Sequence, residues 1–478
     1  MKNLIMKNNL LKKFFSFSIG GYIKILISLL IVPISTRVIS PEQFGIASLI
    51  NVIQNILFLI YSFGTQHSFV RFFYEEKNKG KLLYNCLFYP FFISIFSFIV
   101  IFLFKRNISI FIVGEYDWFI WFILNFGGIF ITLQIFSNLV IRMNQHAKFY
   151  SFVIISEKIL EGIFLLILYK IYGNDYKVLS LSFLAAIISI TLIAIFVERK
   201  YWNFKGEGNI NRKEIIKYSL PLSLTMALNW IFASCDKISI KILSNLSELG
   251  VYSGAFKLIA IITVIQTGFT TFWDPVANEH YFKHPEDKKF FTEMLDIFSL
   301  LFFILGIGLL FTRDIVILFL GEKYREALYV FPMLVFIPIM YSISEITMLG
   351  IAFSKKTKYF LYISIIVSLT NLFGNIALVP TYGAKGAAIS TGISYVLFFS
   401  LRTYFSNRLI NFGFNLKRIY IVIFLMVLYA ASLTFYNNIY FTVLIGILLE
   451  ILVLIIYFPI IKKFYFKYLK NTHKIKNI

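Results

Sequence analysis

Cysteine is scarce in this sequence, charged residues make up only 15% of it, and no long polar segment interrupts it. The two cysteines, Cys86 and Cys235, lie in apolar stretches, which is typical of small buried side chains and gives no pattern for a disulfide framework or a cysteine metal site. The five histidines are scattered without ligand spacing, so no metal site is assigned to them. The longest polar segment, residues 198–217, is too short to fold into a catalytic domain.

Apolar residues dominate the composition. Hydrophobic side chains make up 59% of the 478 residues, against roughly 45–50% in a soluble protein. The apolar stretches run for about 20 residues, the length that a helix needs to cross a bilayer, whereas barrel strands are about half as long. We therefore predict an all-α integral membrane protein with about 14 transmembrane helices. The predicted spans are residues 14–36, 44–70, 82–104, 118–140, 149–172, 177–197, 218–240, 250–273, 290–312, 327–350, 359–380, 384–401, 419–437 and 439–460.

Positive charge is concentrated on one side of these spans. The formal net charge is +22, and 32 of the 46 Lys and Arg residues fall in the N-terminal segment, every second loop and the C-terminal tail, against nine in or beside the opposite loops. The positive-inside rule then predicts that both termini are cytoplasmic. The charge indicates membrane topology and contact with anionic membrane lipids, and no nucleic acid is expected as a partner. The first apolar run is long enough to stay as a helix, so no cleavable signal peptide is expected.

The two halves of the chain repeat each other weakly. A displacement of 205 residues aligns residues 44–46 with 249–251 and Ser48 with Ser253, in both cases where an outer turn opens a long span. A second match, at a displacement of 210, falls at an equivalent place later in a six-span unit. Because six spans return the chain to the side where it began, the two units are expected to be parallel repeats, which typically place a substrate path between them.

These patterns predict four parts of the chain. They are an N-terminal six-helix lobe at residues 1–200, a cytoplasmic linker at 201–217, a C-terminal six-helix lobe at 218–405, and an extra two-helix hairpin with a basic cytoplasmic tail at 406–478.

Lysines within the spans are candidate substrate ligands. Lys24 and Lys257 lie in different lobes, and an ionised group at mid-span costs roughly 2.5–3.5 kcal/mol unless it faces a partner or water. If both face the space between the lobes, they form a cationic cavity suited to an anionic headgroup such as a pyrophosphate. The alternative is that each side chain extends to the membrane interface. Lys158 and Lys237 complete this candidate set.

The fifth span carries a group of charges. Glu157 and Glu161 share a helix face at i, i+4, and Lys158 reaches Glu161 at i, i+3. One interpretation is a neutralised structural ion pair. The other is a polar cavity lining in which one carboxylate takes up a proton, which makes Glu157 and Glu161 candidates for a proton or charge relay.

Oxygen-bearing side chains recur at one depth near the outer surface. Asp236, Asn375 and Thr391 each lie about 10 Å or less below the outer ends of their spans, and Asn371 lies one turn deeper. Carboxylate, amide and hydroxyl oxygens are hard ligands of the kind that a small cation such as Na⁺ takes. Interhelical hydrogen bonding, with small residues allowing close helix approach, explains the same residues without an ion.

Four motifs resemble those of a known family. They are SPEQFG at residues 40–45, KYSLP at 217–221, ELGVYSGAFKL at 248–258 and NLFGNIALVPTYGAKGAAISTGISY at 371–395. In order and spacing they resemble the polysaccharide flippases, the Wzx-type transporters of O-antigen, capsule and teichoic acid. This family belongs to the multidrug/oligosaccharidyl-lipid/polysaccharide exporter superfamily and is related to the lipid II flippase MurJ. The resemblance covers essentially the whole chain.

The resemblance implies a fold and a transport activity. It implies a V-shaped pair of six-helix lobes in a bacterial cytoplasmic membrane, alternating access, and transfer of an undecaprenyl-pyrophosphate-linked glycan to the outer leaflet. A monomer without a cofactor is expected, with Na⁺ or H⁺ as the coupling ion and a polysaccharide polymerase and a chain-length regulator as partners. The Na⁺ ligands of MurJ correspond to Asp236, Asn371, Asn375 and Thr391. Asn375 departs from the pattern, because MurJ has an aspartate there.

Two functions from other classes stay open. A multidrug or cation antiporter of the same superfamily is expected to have an acidic cavity, which the mid-span lysines disfavour. A membrane polysaccharide polymerase is expected to have a large extramembrane loop or carboxylates clustered at an interface, and neither pattern is found in the sequence.

Overall fold

The computed structural model describes residues 2–476, and it describes the side chains of residues 19–463 except those of 224, 225, 228, 229 and 232. The lysines of the predicted basic tail beyond residue 463 lie outside the described side chains. The described chain is helical, with short connections between helices. The helices are α1 (Lys2–Val38), α2 (Pro41–Ser62), α3 (Thr65–Phe72), α4 (Lys79–Leu103), α5 (Lys105–Val113), α6 (Trp118–Met143), α7 (Ala147–Tyr172), α8 (Tyr176–Val197), α9 (Arg212–Leu243), α10 (Leu246–Leu258), α11 (Ala260–Lys283), α12 (Lys288–Phe311), α13 (Arg313–Val316), α14 (Ala327–Leu334), α15 (Phe336–Thr347), α16 (Leu349–Phe353), α17 (Lys358–Leu409), α18 (Leu416–Phe435) and α19 (Ile439–Lys476).

The prediction of an all-α membrane protein is confirmed. Within the described residues, ten helices are long and apolar enough to cross a membrane, or eleven if the bent pair α10 and α11 is counted as one span. Helix α17 contains two predicted spans, because the backbone at Gly383 (φ 55°, ψ −131°) is not helical and the chain kinks there between two helices. A positive φ of this size favours glycine, which has no Cβ to clash with the backbone. Helices α7 and α9 correspond to the remaining predicted spans.

The chain divides into two compact units. The first contains Met1–Ile238 and Leu246–Ser253, and the second contains Ser239–Asn245 and Gly254–Ile478. Most of α9 therefore belongs to the first unit, although the sequence places the start of the second lobe at residue 218. The first turns of α9 are bound there, since Ser68 of α3 donates a 2.8 Å hydrogen bond to the carbonyl of Ile215. The limits of the functional lobes stay a prediction.

Close helix packing organises the first unit. Helix α7 packs against α1 and α8, and α6 packs against α2 and α8. Where α2 crosses α6, the side-chain amide of Gln54 donates a 2.9 Å hydrogen bond to the carbonyl of Ile123. A Cβ at Gly127 would come within 1.9 Å of the same amide. Glycine at that position allows the two helices to approach closely enough for a buried polar contact.

Two buried arginine contacts organise the second unit. Arg402 of α17 donates a 2.6 Å hydrogen bond to Glu345 of α15, and both side chains are nearly buried. Arg313 of α13 is fully buried and donates to the carbonyl oxygens of Leu433 and Tyr436, at the end of α18. The second contact fastens the hairpin of α18 and α19 to the end of α12 and α13.

Candidate functional site

An ion pair joins α1 and α7 inside the first unit. Lys24 Nζ lies 3.2 Å from Glu157 Oε1, and the side-chain amide of Gln134 on α6 donates a 2.8 Å hydrogen bond to Glu157 Oε2. The Glu157 side chain is 5% exposed, whereas that of Lys24 is 34% exposed. Lys24 is thus the accessible member of the pair, and the carboxylate is held from two sides.

Lys158 and Glu161 of α7 lie next to this ion pair. Lys158 Nζ lies 2.5 Å from Glu161 Oε2 and 3.9 Å from Glu157 Oε1. We call Lys24, Glu157, Lys158 and Glu161, with Gln134, the charge cluster. Its two lysines and two glutamates balance, so the cluster is close to neutral when all four groups are ionised. An anion that binds to Lys24 therefore competes with Glu157.

The sequence did not predict the contact between Lys24 and Glu157, because the two residues are 133 positions apart. The only available signal is that each lies near the middle of an apolar span, where an ionised group requires a partner. Contacts within one helix are easier to predict, and the i, i+3 spacing of Lys158 and Glu161 does correspond to the ion pair in the structure.

Three of the four candidate Na⁺ ligands meet in the second unit. Asn371 Nδ2 donates to Thr391 Oγ1 at 3.2 Å, and Asn375 Nδ2 donates to Asn371 Oδ1 at 3.2 Å. Ser390 Oγ donates to the carbonyl of Asn371 at 2.8 Å, and a Cβ at Gly374 would lie 2.3 Å from the same hydroxyl. All three candidate ligands are buried. We call Asn371, Asn375, Ser390 and Thr391 the amide cluster.

The donor atoms of the amide cluster are of a type that hard cations bind. Amide and hydroxyl oxygens are ligands of Na⁺-like ions, but all of them here are neutral. The fourth candidate, Asp236, belongs to the first unit, where it is buried and accepts a 2.7 Å hydrogen bond from the hydroxyl of Tyr252. The grouping of Asp236 with the amide cluster stays a prediction.

Two other candidate lysines are partly buried. Lys237 follows Asp236 on α9, in the first unit, and Lys257 lies near the end of α10, in the second. Their convergence with Lys24 on one substrate headgroup stays a prediction.

Two residues that the predicted sequence repeat aligns are in direct contact in the structure. Ser48 of α2 and Ser253 of α10, which the displacement of 205 aligns, are hydrogen-bonded through their hydroxyl oxygens at 2.8 Å. A Cβ at Gly45 would lie 2.1 Å from the carbonyl oxygen of Leu246, and one at Gly250 would lie 1.7 Å from that of Pro41. Equivalent glycines thus allow the starts of the two helices to touch, and we call this contact the α2–α10 crossing.

These features define a multi-pass helical membrane protein with polar clusters at membrane depth. The family model described as polysaccharide biosynthesis protein matches residues 10–280, and the chain belongs to this family. No curated protein sequence matches the chain significantly.

Solved structures share the fold. The chain is similar to "Lipid II flippase MurJ, inward closed conformation", with a TM-score of 0.69 and 18% identity over 95% of this chain and 99% of that chain. It is also similar to the inward-facing conformation of a multidrug resistance MATE family transporter of the MOP superfamily, with a TM-score of 0.59 and 13% identity over 81% of this chain and 94% of that chain. The family match agrees with the polysaccharide family expected from the sequence motifs, and the solved structures show that the chain shares their fold.

Proposed function

We propose that this protein is a flippase. It moves an undecaprenyl-pyrophosphate-linked oligosaccharide repeat unit from the cytoplasmic to the outer leaflet of a bacterial inner membrane by alternating access, with both termini in the cytoplasm. Support comes from the polysaccharide biosynthesis family and from the fold shared with a lipid II flippase. The observation that carries the proposal is the charge cluster, in which a partly exposed lysine at membrane depth is paired with a buried carboxylate.

In this proposal the pyrophosphate replaces Glu157 as the partner of Lys24. A mid-membrane lysine costs roughly 2.5–3.5 kcal/mol, and an anionic headgroup offsets that cost as the carboxylate does. After the exchange, Glu157 keeps the hydrogen bond from Gln134 at 2.8 Å and has Lys158 at 3.9 Å. Uptake of a proton by Glu157 completes the compensation, which makes H⁺ one coupling ion consistent with the cluster.

An inside-negative membrane potential favours transfer of the headgroup towards the outer leaflet. If the headgroup carries two negative charges, an inside-negative potential favours its full transfer outward by roughly 4.6 kcal/mol per 100 mV, at about 2.3 kcal/mol per charge. Cation coupling is then needed chiefly to return the empty carrier. The amide cluster of the second unit, with Asp236 as the fourth ligand predicted from the sequence, is the proposed Na⁺ site for that step. When bound, the ion would supply positive charge close to Asp236.

Transfer across the bilayer can be tested in cells that make the glycan. Lys24→Ala removes the accessible cation and should cause lipid-linked repeat units to accumulate in the inner leaflet, with export of the glycan lost. Lys170→Ala is the matched control, because Lys170 is an exposed lysine on α7 outside the charge cluster. Normal export by the Lys24→Ala variant would refute the role of the cluster.

A multidrug or cation antiporter is the second candidate. The buried carboxylate of Glu157 favours it, because an organic cation could take the place of Lys24 beside that group. Deletion should then raise sensitivity to cationic drugs without changing the surface glycan. A membrane polymerase, the less favoured alternative, predicts that deletion leaves repeat units flipped but unpolymerised. On the flippase proposal, the polymerase and a chain-length regulator are partners that act on the delivered repeat unit.

A further inference from the structure

An apolar groove of about 550 Å³ runs along α4 in the first unit. Tyr84, Phe88 and Ser94 are among the α4 side chains that line one wall, and α6 contributes to the facing wall. Trp202 and Phe204, from the segment after α8, also line it. At about 1.5 Å per residue, the stretch of α4 from Tyr84 to Ser94 spans roughly 15 Å. The length and the aromatic lining suit a linear hydrocarbon chain.

Two cations lie at the Tyr84 end of the groove. The guanidinium of Arg212 lies 3.5 Å from the ring centre of Phe88 and 5.4 Å from that of Tyr84. Lys81 Nζ lies 4.9 Å from the ring centre of Tyr84. Both side chains are partly exposed, and among the described ion pairs neither has a carboxylate partner. A single anionic group near this end would therefore meet two positive charges.

The bonding of Arg212 is compatible with such an anion. Its Nε donates a weak 3.4 Å hydrogen bond to Asn85 Oδ1, and its central carbon lies over the Phe88 ring. Guanidinium groups bind phosphate through two parallel N–H donors, which NH1 and NH2 supply. Stacking on an aromatic ring restricts the guanidinium and reduces the entropy lost on binding.

We propose that this groove is a binding site for an anionic phospholipid. One acyl chain lies along α4 from Tyr84 to Ser94, and the phosphate lies between Lys81 and Arg212. General attraction of anionic lipid to basic loops requires only charge, whereas this site also encloses a chain. Its occupant stabilises the segment that contains Trp202 and Phe204, which joins the two halves of the sequence. The site is separate from the charge cluster and does not depend on the flippase proposal.

Photolabelling of the purified full-length chain tests the site. The probe is phosphatidylglycerol with a diazirine on one acyl chain, added to delipidated protein in neutral detergent, and labelled peptides are mapped by mass spectrometry. Label is expected on the α4 peptide that contains Phe88 and Ser94. Arg212→Gln should weaken binding about fivefold, which corresponds to ~1 kcal/mol for one phosphate contact. Lys213→Gln, an exposed neighbour, should bind as the parent does.

Three outcomes decide the proposal. Labelling in the groove that falls with Arg212→Gln and with the groove-filling Ser94→Phe, but not with Lys213→Gln, supports it. The proposal is overturned if a phosphatidylcholine probe labels the groove as strongly as the phosphatidylglycerol probe does and Arg212→Gln weakens neither. In that case the two cations would not select an anionic lipid. Displacement of the probe by undecaprenyl phosphate but not by unlabelled phosphatidylglycerol also overturns it, since the occupant would be a polyprenyl lipid. Melting temperatures of all variants in neutral detergent show whether each is folded.

Discussion

Ser48 and Ser253 hydrogen-bond to each other at 2.8 Å although 205 residues separate them, and 205 is also the displacement at which the sequence repeats. Each serine lies one turn after a glycine that allows close approach of the other helix's backbone, Gly45 in α2 and Gly250 in α10. The sequence assigns α2 and α10 to different predicted lobes, although both serines belong to the first compact unit of the structure. If the protein works by alternating access, the α2–α10 crossing has to open during the cycle.

A cysteine pair at the crossing should arrest transport. With Cys86 and Cys235 replaced by serine, the Ser48→Cys and Ser253→Cys double variant places two thiols where hydroxyls now touch. Disulfide formation requires Cβ atoms roughly 3.5–4.5 Å apart, which this proximity favours. Oxidation should abolish glycan export and reduction should restore it, as followed by surface glycan labelling. Export that continues after complete cross-linking would show that the crossing stays closed during transport.

Na⁺ should stabilise the parent protein through the amide cluster. Asn371, Asn375 and Thr391 offer neutral oxygens, and Asp236 is the proposed source of negative charge. Melting temperature in detergent should rise with NaCl more than with KCl at equal ionic strength, and Asp236→Asn and Asn371→Ala should remove the difference. Thr370→Ala, next to the cluster, serves as the control. If the parent responds equally to both salts, the cluster is interhelical hydrogen bonding only.

The linker after α8 is attached to the first unit through Glu76. Its carboxylate is 1% exposed and accepts hydrogen bonds from the backbone N–H groups of Ile210 at 2.8 Å and Asn78 at 3.0 Å. Burial alone raises the pKa of Glu76, but the hydrogen bonds from backbone N–H groups outweigh it and hold the pKa below the ordinary 4.5. The resulting stabilisation is present above pH 4.5 and is lost as the pH falls through the folded-state pKa.

Glu76→Gln should therefore change how stability depends on pH. At neutral pH the variant should be less stable than the parent by about 1–3 kcal/mol, because the backbone donors lose a charged acceptor. The difference should begin to shrink near pH 4.5, where the unfolded parent takes up a proton, and should continue to shrink until the pH falls through the lower folded-state pKa. Unfolding of the detergent-solubilised protein at pH 7 and at pH 4 measures both values. A difference that is constant with pH would contradict this account, because it would mean that the pKa of Glu76 is the same in the folded and unfolded states.

Arg313 should be the main polar anchor of the C-terminal hairpin. The side chain is fully buried and donates to the carbonyls of Leu433 and Tyr436, so its removal leaves the buried acceptor of Leu433 without this donor. Arg313→Gln should lower the free energy of unfolding by about 3 kcal/mol. Limited proteolysis should then cut between α18 and α19 first. Arg325→Gln, at an exposed position, should leave both measurements unchanged.

Much of the fold was predictable because the bilayer sets helix length. Apolar runs of about 20 residues located the spans, whereas the orientation that the lysine asymmetry indicates stays a prediction. The break inside α17 was predictable, since the sequence places two spans on either side of the segment from Pro380 to Gly383, where the structure has a kink. The backbone angles of Gly383 at this kink, φ 55° and ψ −131°, were not predictable, because composition does not determine them.

The polar sites were predictable only where partners share a helix or adjacent helices. Asn371 and Asn375 are i, i+4 neighbours, and their amide contact follows from that spacing. The partner of Lys24 depends on how α1 packs against α7, which spacing along the chain does not specify. For Ser48 and Ser253 the repeat aligned the residues but did not show that they touch.

Transfer of the lipid-linked repeat unit by the purified chain tests the central claim most directly. The full-length protein is reconstituted into vesicles that contain a fluorescent undecaprenyl-pyrophosphate-linked oligosaccharide, and access of a membrane-impermeant lectin or quencher is followed over time. The account predicts that the parent and Lys170→Ala move the headgroup across the bilayer and that Lys24→Ala does not. Movement by Lys24→Ala at the parent rate, or a parent rate equal to that of empty vesicles, would contradict it.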